Sequence, residues 1–333
     1  MKKQAYCLLL EQNSKRGDGT MNGLELSRRY YMAFGEPMLR EQFAEWVPYL
    51  AVGLCGAGSE NLGFDDAVSE DHDFGPGFCI FLPGEDVVDR KTAFRLERAY
   101  AALPAEFEGY RRPVVAPVGG ARTGVLRMAD FFLEKTGSAS GMLSAEQWLS
   151  VPYASLGEAV NGEVFADPSG VLTGIREQLK QMPEDIRRKR LAGHLLLMAQ
   201  SGQYNYQRCL DHGEEGAAQL AAFDFVRNAI SAVFLLNRRY EPFYKWAFRA
   251  MRSLPVLSDI EKDLTEIIST PNDPQSSFEK YNTMESVAAS VISVLMDQGL
   301  TEAVCGDLEK HAYSVNDGIG DGNIRNMHIL SGV

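Results

Sequence analysis

Val52-Gly53-Leu54-Cys55-Gly56-Ala57-Gly58-Ser59 and, shortly after it, Asp65-Asp66-Ala67-Val68-Ser69-Glu70-Asp71-His72-Asp73 form the stretch that decides how the chain is read. Tyr49 to Cys55 is a nearly continuous apolar run that stops at Gly56-Ala57-Gly58-Ser59, the pattern of a buried strand entering a tight turn. At Gly58 and Ser59 the missing or small side chain lets backbone N–H groups and a hydroxyl approach phosphate oxygens closely. Eleven residues separate Ser59 from the triplet Asp71-His72-Asp73. If the triplet starts a strand, Asp71 and Asp73 project from one face, because side chains repeat with a period of two. Unit charges about 4 Å apart repel by roughly 4 kcal/mol at an effective dielectric of about 20, so such a pair takes up a proton or binds a cation. Mg²⁺ suits it, since that ion combines one or two carboxylates with substrate phosphates. Phosphate donors beside a carboxylate-held metal suit phosphoryl or nucleotidyl transfer.

Upstream, residues 22–48 carry apolar positions at helical spacing (Leu24, Leu26, Tyr30, Tyr31, Phe34), interrupted by Pro37, and predict two short helices. Downstream, Phe78 to Leu82 predicts a second strand, Asp86 to Leu103 a helix, and Val114 to Val118 and Gly124 to Met128 further strands. After Gly137-Ser138-Ala139-Ser140-Gly141 the β-branched runs disappear, and helical patterns dominate from Ala145 to Leu300, clearest at Ala221 to Leu236. The expected organisation is therefore a small α/β domain over 1–140 and an all-helical domain over 141–333, ending in a Gly-, Asn- and Asp-rich tail that wraps back as a loop with one short helix. The fold class is α+β.

The 333 residues carry 33 Lys and Arg against 45 Asp and Glu, a formal charge of −12. That excess repels a polyphosphate backbone and argues against long nucleic acid as a partner, while a small nucleotide remains compatible. The apolar run at the N-terminus is too short for a signal h-region, and no window approaches 18 uninterrupted apolar residues, so neither export nor a membrane partner is expected. The five cysteines are scattered without a CxxC pair, which fits a reduced, cytoplasmic setting and argues against structural zinc.

Gly58, Ser59, Asp71 and Asp73 match the pattern of the polymerase β-type nucleotidyltransferase superfamily: a hydrophobic residue, Gly, then Gly or Ser, and about ten residues later Asp-x-Asp. The longer string Gly-Ser-Glu-x-Leu-Gly-Phe-Asp-Asp-x-x-Ser-x-Asp-His-Asp at 58–73 resembles an uncharacterised bacterial group of that superfamily, related to kanamycin nucleotidyltransferase and the aminoglycoside adenylyltransferases. Asn237-Arg238-Arg239-Tyr240-Glu241-Pro242-Phe243-Tyr244-Lys245-Trp246 is similar to the same group, so the resemblance covers most of the chain. It implies a small mixed nucleotidyltransferase sheet with flanking helices followed by a helical domain. It also implies metal-dependent transfer of an NMP group, AMP from ATP or another NTP, to a hydroxyl of an unknown small-molecule acceptor. In that scheme Gly58 and Ser59 hold the nucleotide's phosphates, Asp71 and Asp73 are catalytic and bind Mg²⁺, and Lys245 reaches phosphate from the helical half. Active members usually offer a third carboxylate from a neighbouring strand. Gly124-Val125-Leu126-Arg127-Met128 is where it is expected, and no acid stands there, while Asp130 and Glu134 belong to the helix that follows. Either that strand is misplaced or activity is altered or lost. The alternative is thus a catalytically inactive nucleotide-binding or regulatory protein of the same fold.

Other features read as structural. His72 points away from the two acids, and Asp65-Asp66 is better read as a helix cap than as a third acidic contributor. Phe243 and Trp246 read as a helix start packed on the core, with Lys245 divided between a snorkelling surface lysine and a phosphate ligand. Arg187-Arg188-Lys189-Arg190 reads as a solvated helix face. Gly56-x-Gly58 lacks the third glycine of a dinucleotide-binding turn, which disfavours an oxidoreductase, and no Walker A sequence occurs.

Overall fold

The computed structural model describes residues 22–65, 74–113 and 122–333. These fall into two compact units. One comprises the described residues up to Phe131 together with Val160–Gly174, and the other comprises Phe132–Ala159 and Ile175–Val333.

The first unit opens with α1 (Gly23–Tyr30), a π-helical turn at Tyr31–Gly35 and α2 (Glu36–Gln42), with Pro37 in its first turn. The Asn22 side chain accepts from the Leu24 N–H, and Asp65 Oδ2 accepts from the Gly23 N–H at 2.7 Å. Asp65 is thus a helix cap, but of the distant α1 rather than of a helix that follows it. Asp66 and His72 lie outside the described residues. β1 (Ala51–Leu54) and β2 (Cys79–Leu82) are buried throughout, as their unbroken apolar runs predict. α3 (Arg90–Ala101) starts where Asp89 accepts from the Thr92 N–H. β3 (Glu106–Phe107) and β4 (Tyr110–Arg111) form a tight hairpin across Glu108 and Gly109, both at positive φ. β5 (Gly124–Arg127) runs straight into α4 (Met128–Thr136). The predicted strand at Val114 to Val118 lies outside the described residues.

The chain then passes through α5 (Ala145–Ser150) and α6 (Tyr153–Val160) and returns to the sheet as β6 (Glu163–Ala166) before α7 (Val171–Lys180). This corrects the all-helical reading of the region after residue 145: 160–174 belong to the first unit. The sheet has the order β5-β2-β1-β6, with β1 antiparallel to both β2 and β6, and β2 parallel to β5. The α+β expectation therefore holds: a mixed four-stranded sheet with flanking helices in one unit, and helices in the other. Val52, Ile80 and Leu82 point to one face, where Tyr30, Phe43, Leu96 and Tyr100 cover them. On the other face Phe81 meets Phe131 of α4 edge-on, with centroids 5.3 Å apart.

In the second unit α8 (Glu184–Met198), a π-helical stretch at Ala199–Tyr206 and α9 (Gln207–Asp211) lead to α10 (Glu215–Leu236). α11 (Tyr244–Met251), α12 (Glu261–Ser269), α13 (Pro274–Asp297), α14 (Leu308–Asp317) and α15 (Gly322–Asn326) complete it. The tail read as a loop with one short helix thus contains a second helix of ten residues, α14. α10 is long and apolar enough to span a membrane by length and composition alone. Here it supplies Phe225, Ala229, Val233 and their neighbours to the core of this unit.

The solvated reading of Arg187-Arg188-Lys189-Arg190 is overturned, because Arg187, Lys189 and Arg190 are all buried. Each cation instead closes off backbone carbonyls. Lys189 Nζ donates to Arg325 O, Met327 O and Asn316 Oδ1, while Arg190 donates to Leu149 O, Val151 O and Gly332 O. Charge-assisted bonds to carbonyls from four separate segments explain how so polar a run is tolerated inside.

His194, one turn along α8, is also buried. Asn228 Nδ2 donates to Asp224 O, which leaves Asn228 Oδ1 to accept from His194 Nδ1–H at 2.9 Å, so Nε2 accepts from the Tyr153 hydroxyl at 3.0 Å. Burial holds the imidazole neutral, with its pKa pushed down to about 4. An unfolded histidine titrates near 6.5, so the unfolded chain takes the proton first. Stability from this group is complete above pH 6.5 and is lost as pH falls towards 4, by about 3 kcal/mol in all. The protection factors of the α8 amides, which are corrected for the intrinsic pH dependence of exchange, should therefore fall between pH 7 and pH 4.5 by more in the wild type than in His194→Gln. An equal fall in both would contradict the assignment.

Candidate functional site

The turn after β1 is built by amide side chains. Asn161 accepts from the Gly56 N–H and donates to the Gly56 carbonyl, both at 2.8 Å, and Asn61 Nδ2 donates to the carbonyls of Gly56 and Ala57 at 3.1 and 3.2 Å. With those carbonyls tied inward, the N–H groups of Ala57, Gly58 and Ser59 and the Ser59 hydroxyl meet no acceptor among the described residues. Successive free N–H groups in a turn make a concave anion site. Gly58 has φ of 136°, in a region that L side chains rarely adopt, and a β-carbon there would stand 2.4 Å from Glu60 Oε1. Close approach of β6 imposes glycine on Gly53 as well, where a β-carbon would lie 2.5 Å from Glu163 O.

Glu60 is the electrostatic complication. Its carboxylate lies against Gly58, where phosphate is expected, and Arg122 Nη2 donates to it at 3.2 Å. The turn therefore carries one negative group, paired with one positive group.

Sheet topology determines what meets the turn. β2 is antiparallel to β1 with Cys79 beside Gly53, and Gly124 of β5 stands beside Cys79. The chain entering β2, the residues just before β5, and the turn after β1 accordingly share one end of the sheet. Asp71 and Asp73 lie outside the described residues. The chain leading from them reaches this end through Phe74, whose ring meets Tyr110 edge-on at 5.0 Å, and Gly77, which packs on Thr123.

The strand expected to carry a third carboxylate is correctly placed, since β5 pairs in parallel with β2, and it contains no acid. Asp130 and Glu134 are exposed on α4, as read. The expected strand is thus present and carries no acid. Among the described residues no group of three His, Cys, Asp or Glu is arranged to hold a metal ion.

Lys245 stands in the second unit, exposed on the first turn of α11, with Nζ 5.2 Å from the centre of the Trp246 ring. Phe243 is half exposed, which corrects its reading as a core residue; Trp246 is partly buried. Sequence reasoning missed Glu60, Arg122, Asn61 and Asn161. Only the last had a signal, since Asn161-Gly162 is a turn dipeptide ahead of the short strand Glu163–Ala166.

Residues 148–247 match a family model described as a domain of unknown function, DUF4037. That match spans less than half of the chain. No curated protein matches. Among solved structures, a nucleotidyltransferase-like protein from Exiguobacterium sibiricum 255-15 aligns over 85% of this chain and 90% of its own, at 11% identity and a TM-score of 0.36. A likeness at that level assigns this chain neither a family nor an activity.

Proposed function

We propose that the chain is a Mg²⁺-dependent nucleotidyltransferase that moves an NMP group, AMP from ATP, to a hydroxyl of a small-molecule acceptor, and that it works in the cytoplasm. The observation that supports this most is the run of N–H groups at 57–59 that meet no acceptor among the described residues, at the end of the sheet where the chain from Asp71 and Asp73 enters β2. Gly58 and Ser59 hold phosphate oxygens, and Arg122 turns from Glu60 to the phosphate as it arrives. Asp71 and Asp73 hold Mg²⁺, which when bound neutralises charge on the triphosphate. The acceptor oxygen forms its bond to the α-phosphorus as the bond to the β-phosphate oxygen breaks; pyrophosphate leaves and the hydroxyl proton passes to water. Positioning and fixed donors supply the rate enhancement. Lys245 is the proposed phosphate ligand of the second unit.

Transfer of label from ATP radiolabelled at the α-phosphate, across a panel of hydroxylated acceptors with Mg²⁺, tests this reading: labelled acceptor and free pyrophosphate are expected. The absence of an acid on β5 favours a second reading, a nucleotide-binding protein without turnover. Tight ATP binding with no pyrophosphate release against any acceptor would select it.

Glu60→Gln is expected to tighten ATP binding about tenfold, close to 1.4 kcal/mol, by removing a like charge from the phosphate site while keeping the size of the side chain. Calorimetry on the variant reads this directly, and an unchanged or weaker affinity would place the phosphates elsewhere.

A further inference from the structure

The second unit contains a cavity of about 1680 Å³ bounded by α6, α8, α10 and the segment 241–248. We infer that it is a binding site for a small organic cation, in which the Glu241 carboxylate meets the charge and the rings of Phe243 and Tyr244 flank it. The inference concerns this unit alone and stands independently of the nucleotide reading.

Glu241 is a carboxylate without a counter-ion. Ser231 Oγ donates to its Oε2 at 2.5 Å, and among the described residues no Lys, Arg or His nitrogen forms an ion pair with it. Arg227, which acts on it at longer range, is 82% exposed and pairs with Asp224 at 4.0 Å. Burial holds the Glu241 carboxyl above the usual carboxylate range. A desolvated acid in that position is costly until a cation arrives, and the described residues provide none within ion-pair distance.

The aromatic groups point the same way. Phe243 and Tyr244 are 52% and 75% exposed, with ring centroids 4.5 Å apart, and both line the cavity. Aromatic faces attract ammonium groups, most strongly where water is partly excluded. Arg227 lines the cavity and is exposed, but its charge is offset by Asp224, which lines it too. Arg190 also lines the cavity, but its guanidinium is engaged with three carbonyls and lies 4.0 Å from the centre of the Tyr153 ring. Its Nη1, which makes no hydrogen bond, has no accessible surface from which to meet a ligand. Tyr153 and His194 bond to each other and are neutral. With Arg227 offset by Asp224, the charge left on the lining is that of Glu241 and Glu146, and the space exceeds the roughly 300–1,000 Å³ of ordinary ligand pockets, so a ring-bearing ammonium compound fits.

The test is a calorimetric titration of the full chain at pH 7.5, without nucleotide or metal, using benzylammonium, its uncharged counterpart benzyl alcohol, and benzoate. Benzylammonium should bind at least about tenfold more tightly than benzyl alcohol, benzoate should not bind, and Glu241→Gln should erase the preference for the amine. Tyr244→Ala, at an exposed position, should weaken benzylammonium several-fold. It carries the test by itself if Glu241→Gln disturbs folding. Equal affinity for amine and alcohol, no binding of any probe, a preference that survives Glu241→Gln in a folded protein, or unchanged affinity in Tyr244→Ala would overturn the inference.

Discussion

Asp71→Asn or Asp73→Asn is expected to abolish Mg²⁺-dependent ATP binding and to leave thermal stability unchanged. Both effects follow from the charge argument. Two carboxylates at Asp-x-Asp spacing repel each other unless a cation or proton intervenes, so neutralising one removes the electrostatic demand for the ion along with one of its ligands. Losing an outer-shell partner of a metal site typically costs 10- to 100-fold in affinity, so loss of a direct ligand should cost about 100-fold or more. Removing like-charge repulsion should not destabilise the chain. Titration of ATP at saturating Mg²⁺, with a melting curve for each variant, measures both halves. Wild-type affinity in either variant would show that these acids do not hold the ion.

Gly58→Ala is the second large effect. The residue sits at φ of 136°, and a β-carbon would meet the Glu60 carboxylate at 2.4 Å. Backbone held in such a region costs about 1–3 kcal/mol for a residue with a side chain, and the turn relieves that cost by rotating its peptide units. Rotation would scatter the N–H groups of 57–59, so ATP affinity should fall at least about tenfold. The carbonyls of Gly56 and Ala57 stay tied to Asn61 and Asn161, so the surrounding sheet should keep its hydrogen-exchange protection. A variant that binds ATP normally would show that the turn is not the phosphate site.

What the sequence revealed about this end of the molecule was what depends on local pattern. The buried runs at 51–54 and 79–82 announced two strands, and Gly-Ser after the first announced the turn. β6 was hidden because four half-buried residues between helices carry too little alternation to stand out, and its place beside β1 is fixed by long-range pairing. The charge run at 187–190 misled for a related reason: a cation's burial depends on which carbonyls distant segments bring to it, and the partners of Lys189 lie in the last twenty residues. Asp65 was legible as a cap from its chemistry, but not as the cap of a helix 42 positions earlier. Glu60 and Arg122 form a pair across 62 positions, beyond the reach of any spacing rule. The empty third position on β5 was visible from the start, because it required only the strand and its residue types.

The most direct measurement is a crystal structure of the chain with Mg²⁺ and a non-hydrolysable ATP analogue. Phosphate oxygens are expected within hydrogen-bonding distance of the N–H groups of Gly58 and Ser59, the ion on carboxylate oxygens of Asp71 and Asp73, and Arg122 turned from Glu60 to the phosphates. Phosphates bound away from the 57–59 turn, or the two aspartates facing opposite sides of their segment, would contradict it.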